Sequence, residues 1–576
     1  MRCWSYFFLI AVLAGQTQTG EVTSRDEAPT FQSSVNLVRV PVVVRDKAGH
    51  TVGGMQKSDF HLSDSGKPQE IAQFAVEGSA VAKPAERQTK AEMEVPGEPG
   101  AKPVAPTRFV AFVFDDVHLT PDQLANVRVA ALKHIEHGIP PEERVGILTL
   151  SGNLSLELTN DVAKFRETMA KLVAIPTRTH FPPASFYMAE QFMRSSGDES
   201  ASCTSAADCT VSCDPRMPPV LVTQTVVTVD CLQLCGHQTP MAPPIARATL
   251  RAVYNEGASE TYNSFHILNN IVRLLGSMPG DRIMILVSPG IYLPDDLQRS
   301  LNESIDRATR SGVIINTLDA RGVYTIDPSV GVAGCTLTTP QTQQQLSTFD
   351  HQAITAQGLI LTTLADSTGG TAVSDNDFLS GFNRLASPPE YVYYLGYYPK
   401  ELKPDGRFHE IKVTLANGQG VSLRARKGYW APSHTEDAAA ASTREIGEAV
   451  FSRDELSDLP LDIDTGFYKT TPTDARLKIT AHLDIRHLRL RKADDRNRND
   501  VTVVCALFDG NGNYLKGVQK VVELRLKDEN VEHRRALGLS MISDFDVKRG
   551  AYMIRVVARD AEGRQMATAN DIVEIP

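Results

Sequence analysis

The sequence predicts a multidomain fold in which a doubly wound, mainly parallel α/β region lies between β-sandwich regions. Between 108 and 387, runs that are apolar on both faces alternate with stretches of helical periodicity, as in parallel sheets covered by helices. Before and after this region, apolar and polar residues alternate with a period of two, which is typical of antiparallel strands. The 576 residues are enough for about three or four domains.

The composition and the first residues indicate an exported globular protein. The chain is 42% hydrophobic and 22% charged, and its net charge of -10 argues against nucleic acid or an anionic membrane as the main partner. Arg2 precedes a short apolar run that ends near Ala14, so residues 1–20 are predicted to be a secretory signal peptide. We therefore expect a secreted, periplasmic or cell-surface protein with no transmembrane segment in the mature chain.

The two segments that flank the α/β region are both rich in predicted strands. Residues 30–77 are predicted to form N-terminal strands of a sandwich, with turns at "DKAGH" and "DSGKP", and 78–107 form a linker. Residues 388–430 contain three further strand-like runs. Because neither segment has enough strands to close a sandwich, we expect the second to complete the first, with the α/β region inserted between them.

The C-terminal part of the chain is predicted to form a domain of its own. Residues 431–455, rich in Ala, Ser and Glu, are predicted to be a linker. Residues 456–576 alternate again, with strand-like runs such as "VTVVCALF" and "GAYMIRVVARD". This pattern predicts a C-terminal β-sandwich.

The first strand of the α/β region, "RFVAFVFD", ends on Asp115 and Asp116. In parallel sheets, ligands bind beyond the carboxyl ends of the strands, so these aspartates are candidates for a binding site. The next residues also fit a helix start, with Thr120 as N-cap, Pro121 in the first turn and Gln123 completing a capping box. Both interpretations of this stretch stay open.

An insertion at about 180–258 lacks helical or strand periodicity and is rich in cysteine. In an oxidising compartment such a cluster predicts disulfides, and the cysteine spacings do not match the paired CxxC of zinc ribbons. Long insertions often carry binding functions, and we expect this one to project near the carboxyl ends of the strands. The disulfide candidates are Cys203, Cys209, Cys213, Cys231, Cys235 and Cys335.

Taken in order, several stretches between 35 and 430 resemble the VWFA-related family of exported proteins described from acidobacteria. They include "VPVVVRDKAGHTVGGMQKSDFHLSDSGKPQEIAQF", "FVFDD", "MPGDRIMILVSPG", "GVIINTLDARGVY", "LADSTGG" and "YYLGYYPKELKPDGRFHEIKV". The resemblance implies a von Willebrand factor A-like domain at 108–387, with a Rossmann-like sheet. It also implies a binding or scaffolding role without known catalytic activity.

Domains of this type hold a divalent cation with a D-x-S-x-S loop, a Thr from a second loop and an Asp from a third. Asp115 matches the first position, but Val117 and Leu119 stand at the two serine positions and Pro289 stands where the third loop would supply Asp. Each missing oxygen ligand weakens a site for a hard cation. The resemblance therefore implies a degenerate metal-dependent adhesion site.

A shifted frame recovers part of the ligand set. Asp116, His118 and Thr120 would then replace the usual residues, and imidazole suits zinc better than magnesium. For the second loop, Ser259 and Thr261 are both available, and Thr261 is better placed ahead of its helix. The candidate metal ligands are Asp115, Asp116, His118 and Thr261.

The leading functional prediction is a non-enzymatic, exported protein that binds a protein or a surface polymer. Its expected contact surface is the carboxyl edge of the α/β sheet together with the cysteine-rich insertion. No cofactor is required, and a weakly bound divalent cation stays open. The alternatives are an exported metal-dependent hydrolase and a purely structural envelope component.

Overall fold

A computed structural model describes most of the chain, and it divides the chain into two compact units. The C-terminal unit comprises Met1–Thr30, Asp454–Phe508 and Leu515–Pro576, and the main unit comprises Phe31–Arg453 and Asp509–Tyr514. The described residues are 21–27, 38–47, 51–78, 105–136, 138–175, 186–195, 243–322, 340–386, 391–399, 405, 407–416, 418, 420–431, 438–452, 456, 458–486, 488–563 and 565–576.

Strands and helices are numbered in chain order. The strands are β1 (Val22–Glu27), β2 (Val38–Asp46), β3 (Phe60–Asp64), β4 (Lys67–Gln69), β5 (Gln73–Gly78), β6 (Arg108–Phe114), β7 (Glu143–Thr149), β8 (Ser155–Thr159), β9 (Asp281–Ser288), β10 (Val313–Asp319), β11 (Ala372–Val373), β12 (Tyr391–Tyr397), β13 (Phe408–Leu415), β14 (Val421–Ala425), β15 (Gly428–Trp430), β16 (Leu461–Lys469), β17 (Asp474–Leu483), β18 (Arg491–Ala493), β19 (Arg496–Asp509), β20 (Tyr514–Leu526), β21 (Leu539–Lys548), β22 (Gly550–Asp560) and β23 (Met566–Ile575). The α-helices are α1 (Pro121–His134), α2 (Val162–Lys171), α3 (Phe186–Ser195), α4 (Pro243–Gly276), α5 (Gln298–Arg310), α6 (Pro340–Thr368), α7 (Phe378–Ala386), α8 (Ala438–Phe451) and α9 (Val531–Leu537).

A six-stranded mixed sheet lies within the main unit, in the order β11-β10-β9-β6-β7-β8. Neighbouring strands are parallel except β7 and β8, which are antiparallel. All seven residues of β6 are buried, because hydrophobic cores lie on both faces of this sheet. Phe112 faces one core and Phe109 faces the other, which explains why the sequence of this strand is a nearly continuous apolar run.

Two helices of the main unit are much longer than the strands they cover. Helix α4 has 34 residues and α6 has 29, so they span about 51 and 44 Å, whereas an eight-residue strand spans about 27 Å. Each helix ends just before a strand begins, and its C-terminal half packs on the sheet through residues such as Phe265 and Leu361. Their N-terminal halves therefore continue past the carboxyl ends of the strands.

Helix α3 packs beside these projecting halves. The Tyr187 hydroxyl donates to Gln352 Oε1 of α6 at 2.8 Å. A side chain at Gly257 of α4 would meet the Phe186 ring at 2.6 Å, so glycine there allows close packing. We call α3 with residues 243–262 and 340–359 the helical extension.

The β-sandwich of the main unit is built from two four-stranded sheets, β14-β2-β12-β5 and β15-β13-β3-β4. Strands that precede the mixed sheet in sequence are hydrogen-bonded to strands that follow it, with Tyr393 opposite Val42 on one side and Val76 on the other. Leu62 is paired with Val413 in the second sheet. Both sheets contribute to one buried core that includes Leu62 and Tyr393.

The C-terminal unit contains a sheet in the order β1-β20-β19-β22-β23, with β18 paired to β19, and a three-stranded sheet in the order β16-β17-β21. Strand β1, which the sequence did not predict, pairs antiparallel with β20, placing Ser24 opposite Val522. In β21 every second residue is buried, as expected for a strand with one face on a core. Cys505 is a buried free thiol in that core.

The predicted fold class is wrong for this chain. The prediction was a fold with a doubly wound, mainly parallel, Rossmann-like A domain as its principal element. The structure is instead mostly β, with 42% strand and 32% helix. In the remaining four sheets, all the described strand pairs are antiparallel. The mixed sheet itself has an antiparallel edge strand, β8. Among the described residues, strands that are apolar on both faces are few, and alternating strands, which favour antiparallel pairing, are more numerous.

Two stretches differ from the predicted boundaries. Residues 438–451, assigned to a linker, form α8, because Ile446 and Val450 recur at helical spacing and are buried. The insertion predicted at about 180–258 contributes α3 and the first part of α4.

Candidate functional site

The mixed sheet brings several polar side chains to one edge. Asp115 and Asp116 directly follow β6, Ser151 follows β7, and Ser288 ends β9. Because parallel strands end on the same side of a sheet, these residues form a shared rim. We call this group the rim.

Asp115 is fully buried, with 0% of its surface exposed. Its Oδ2 accepts a hydrogen bond from Ser288 Oγ at 2.6 Å. Its Oδ1 accepts from His118 twice, from the backbone N–H at 3.1 Å and from the imidazole Nδ1 at 2.8 Å. The carboxylate therefore acts as an internal acceptor that joins two strand ends.

Asp116 is held in a similar way by the loop after β7. Its two carboxylate oxygens accept from the Ser151 backbone N–H at 2.9 Å and from the Ser151 Oγ at 2.6 Å. Burial raises the pKa of Asp116 above its ordinary value, although the hydrogen bonds from Ser151 act in the opposite direction. Both aspartates thus serve to connect neighbouring loops.

His118 is the most accessible of the predicted ligands, with 24% of its side chain exposed. Burial lowers the pKa of its imidazole, but the adjacent Asp115 carboxylate outweighs that effect, so the pKa lies above its ordinary value. Glu260 of α4 adds to this rise, and burial raises the pKa of Glu260 in turn. With Nδ1 bound to Asp115, no described residue forms a hydrogen bond with Nε2 of His118.

The other predicted hydroxyls have structural partners. Thr261 is buried, and its Oγ1 donates to the carbonyl oxygen of Tyr292 at 3.0 Å, which ties α4 to the segment after β9. Thr120 caps α1, accepting from the Gln123 N–H at 3.3 Å while Gln123 Oε1 accepts from the Thr120 N–H at 3.0 Å. The predicted capping box is confirmed.

Of the four candidate metal ligands, Asp115 and His118 are therefore in contact, Asp116 is bound to Ser151, and Thr261 is bound to a backbone carbonyl. Within the described ranges, no group of three His, Cys, Asp or Glu side chains is arranged to hold a metal ion. The oxygen atoms that a hard cation would require are already engaged in hydrogen bonds. The six disulfide candidates lie outside the described residues.

Glu190 of α3 is a further buried carboxylate near the rim, and no sequence motif marks it. Glu190 of α3 accepts hydrogen bonds from the Tyr292 hydroxyl, from the Asp295 backbone N–H at 3.1 Å and from Arg194 at 3.0 Å. Arg194 also forms an ion pair with Asp295 at 2.6 Å. These contacts anchor α3 to the segment after β9, and only the i, i+4 spacing of Glu190 and Arg194 could have suggested a helix there.

Aromatic rings surround this anchor. The ring of Tyr292 makes edge-to-face contacts with Phe186 at 5.1 Å and Tyr187 at 5.5 Å. The Tyr254 hydroxyl donates to Asp296 at 2.9 Å, and burial together with that carboxylate raises the pKa of Tyr254 to about 12. The base of the helical extension is therefore a packed aromatic and ionic junction.

Comparisons with known proteins give no family for this chain. No family model matches, and no curated protein matches. Among solved structures, a covalent complex of Bacteroides uniformis beta-glucuronidase 2 is 11% identical with a TM-score of 0.13, covering 32% of this chain and 19% of that one. Two beta-glucosidases, from Kluyveromyces marxianus with glucose and from Thermotoga neapolitana with alpha-D-glucose, are 9% and 10% identical with TM-scores of 0.12, each covering 54% of this chain.

These three matches span only 19%, 34% and 39% of the respective neighbours. Similarity at this level carries no argument about fold or function. The resemblance to VWFA-related proteins stays a prediction from the sequence. Across the described part of the chain, no helix is both long enough and apolar enough to span a membrane.

Proposed function

We propose that this is an exported, non-enzymatic binding protein that holds a protein or a surface polymer through its helical extension. One observation carries the proposal: Asp115 is completely buried, and its oxygens are engaged by Ser288 and His118. A carboxylate in that state cannot touch a macromolecular partner. We therefore assign the proposed binding surface to the helices that project beyond the rim.

Exposed apolar side chains on the two long helices support this assignment. Tyr262 of α4 is 56% exposed and Leu359 of α6 is 62% exposed. Tyrosine is enriched in interfaces because its ring contributes apolar area while its hydroxyl can form a hydrogen bond. Glu190 anchors α3 beside these helices, so part of the cysteine-rich insertion belongs to the same surface.

Site-specific photo-crosslinking in native cells tests the proposal. A benzophenone amino acid is placed at Tyr262, at Leu359 and, as a matched control, at Val129 of α1, which is 52% exposed on the opposite side of the mixed sheet. We expect crosslinked partners from the first two positions and none from the third. Equal crosslinking from all three positions, or none from any, would contradict the proposed surface.

A metal-dependent hydrolase is the second candidate, and one observation favours it. Asp115 fixes Nδ1 of His118 and leaves Nε2 available, an arrangement seen where a carboxylate orients a metal-binding or proton-transferring imidazole. If the protein is such an enzyme, ester or phosphoester hydrolysis in the presence of zinc should be measurable and His118→Ala should abolish it. We expect no such activity in the native protein.

A further inference from the structure

Another buried carboxylate lies in the β-sandwich, apart from the rim. Asp64, at the end of β3, is buried, and its Oδ2 accepts from the hydroxyls of Tyr397 and Tyr429, each at 2.9 Å. Its Oδ1 accepts from Ser65 Oγ at 3.0 Å and lies 3.4 Å from Nδ1 of His409. Three hydroxyl groups therefore donate hydrogen bonds to Asp64, and His409 lies within ion-pair distance.

Arg426 lies within the electrostatic field of this carboxylate but does not share its hydrogen bonds. The residue follows β14 and is only 7% exposed. Its Nε is buried and finds no hydrogen-bond acceptor among the described residues. Asp306 of α5 also acts on Arg426, but it is engaged by Arg310 Nε at 2.9 Å.

Burial lowers the pKa of Arg426 to about 10, and the nearby tyrosines, Asp306 and Asp64 limit that fall. The guanidinium thus stays charged at neutral pH. A buried donor without an acceptor is rare in folded proteins, because its lost hydration is not replaced. Two carboxylates compensate the charge of Arg426 at a distance, but neither supplies an acceptor atom to its Nε.

We propose that Arg426 binds a small monocarboxylate anion, with formate and acetate as the simplest members of the class. The planar guanidinium presents donors in a fork that matches the two oxygens of a carboxylate. Asp64 and Asp306 partly offset the charge of Arg426, which favours a singly charged anion over phosphate and sulfate. The low exposure of Arg426 restricts the ligand to a small free acid and excludes the terminus of a peptide.

Thermal unfolding of the full chain tests this site. Formate, acetate, chloride, sulfate and the dipeptide Gly-Gly are compared at equal ionic strength, so that general salt effects cancel. We expect formate and acetate to raise the melting temperature by roughly 2 °C above the chloride reference. Sulfate and Gly-Gly should match chloride.

The variant Arg426→Lys keeps the charge but removes the planar fork, and it should lose the carboxylate-specific shift. The matched control is Arg424→Lys, two residues earlier, where an exposed arginine donates to Thr371 Oγ1 at 2.5 Å. This control should keep the shift. NMR provides a readout that does not depend on stability. The native protein should broaden the ¹³C-formate signal, and Arg426→Lys should not.

Two results would overturn the site. One is that formate raises the melting temperature of the native protein no more than chloride does, and that the native protein leaves the formate NMR signal sharp. The other is an Arg426→Lys protein that retains both effects. Because the proposed partner surface lies on the helical extension, neither result bears on the proposed function.

Discussion

The rim and the Asp64 cluster, in which Asp64 contacts Ser65, Tyr397, Tyr429 and His409, are two buried carboxylate centres in the same unit. They differ in one respect. At the rim, Asp115 and the hydroxyl and imidazole donors around it satisfy one another. In the sandwich, Asp64 is equally satisfied, yet no described residue supplies an acceptor to Nε of Arg426. The carboxylates at the recognisable sequence motif are thus fully engaged, whereas the position without a motif contains a buried donor to which no described residue supplies an acceptor.

The largest effect is expected from Asp115→Ala at the rim. The change removes the acceptor of the buried Ser288 hydroxyl and of the partly exposed His118, which should lower the free energy of unfolding by about 3 to 5 kcal/mol. Urea unfolding followed by circular dichroism measures the loss. The exposed Asp122 of α1 is the control, and Asp122→Ala should cost only about 0.5 kcal/mol. Equal losses for both variants would mean that the rim carboxylate has no structural role.

A smaller effect is expected in the Asp64 cluster. Tyr397→Phe and Tyr429→Phe each remove one hydrogen bond to a charged oxygen and should each cost about 1.5 to 3 kcal/mol. Because both hydroxyls donate to the same atom, the double variant should deviate from the sum of the single losses. Strict additivity in a double-mutant cycle would show that the two hydroxyls act independently and that Asp64 is not their common acceptor.

The smallest effect concerns the pH dependence of the rim. Since the pKa of His118 is raised in the folded state, its ion pair with Asp115 contributes fully below the ordinary imidazole pKa of 6.5. That contribution is lost as the pH rises through the folded-state pKa. Asp116 and Glu260 are the other acidic groups that face this imidazole. Unfolding midpoints measured from pH 5 to 9 should converge for native protein and His118→Gln at high pH, and a gap that widens with pH would contradict this sign.

Local features of the fold were predictable where one physical signal dominates. The buried strand β6 follows from its unbroken apolar run, and the start of α1 follows from Thr120, Pro121 and Gln123. Strand β1 could not be placed, because its sequence "VTSRDE" is polar and its order comes from pairing with β20, about 500 residues away. The overall fold class was wrong because one region with strong helical and apolar periodicity was weighted above many short alternating strands.

The candidate site was also predictable only in part. Sequence spacing placed Asp115 and Asp116 at a strand end, but it could not reveal that Ser151 and Ser288 from other strands would occupy their oxygens. Such contacts depend on which strands become neighbours in the sheet, and the strand order cannot be read directly from a single sequence. Arg426 could not be predicted for a related reason: only the structure shows that no described residue supplies an acceptor to its Nε.

The central claim is that Asp115 is an internal hydrogen-bond acceptor and not a metal ligand. Thermal unfolding of the native protein and of Asp115→Asn, titrated with magnesium, manganese, calcium and zinc, tests it most directly. We predict no saturable stabilisation of the native protein that Asp115→Asn removes. A saturable rise in melting temperature with any of these ions, lost in Asp115→Asn, would contradict the claim and return the rim to the role of a metal site.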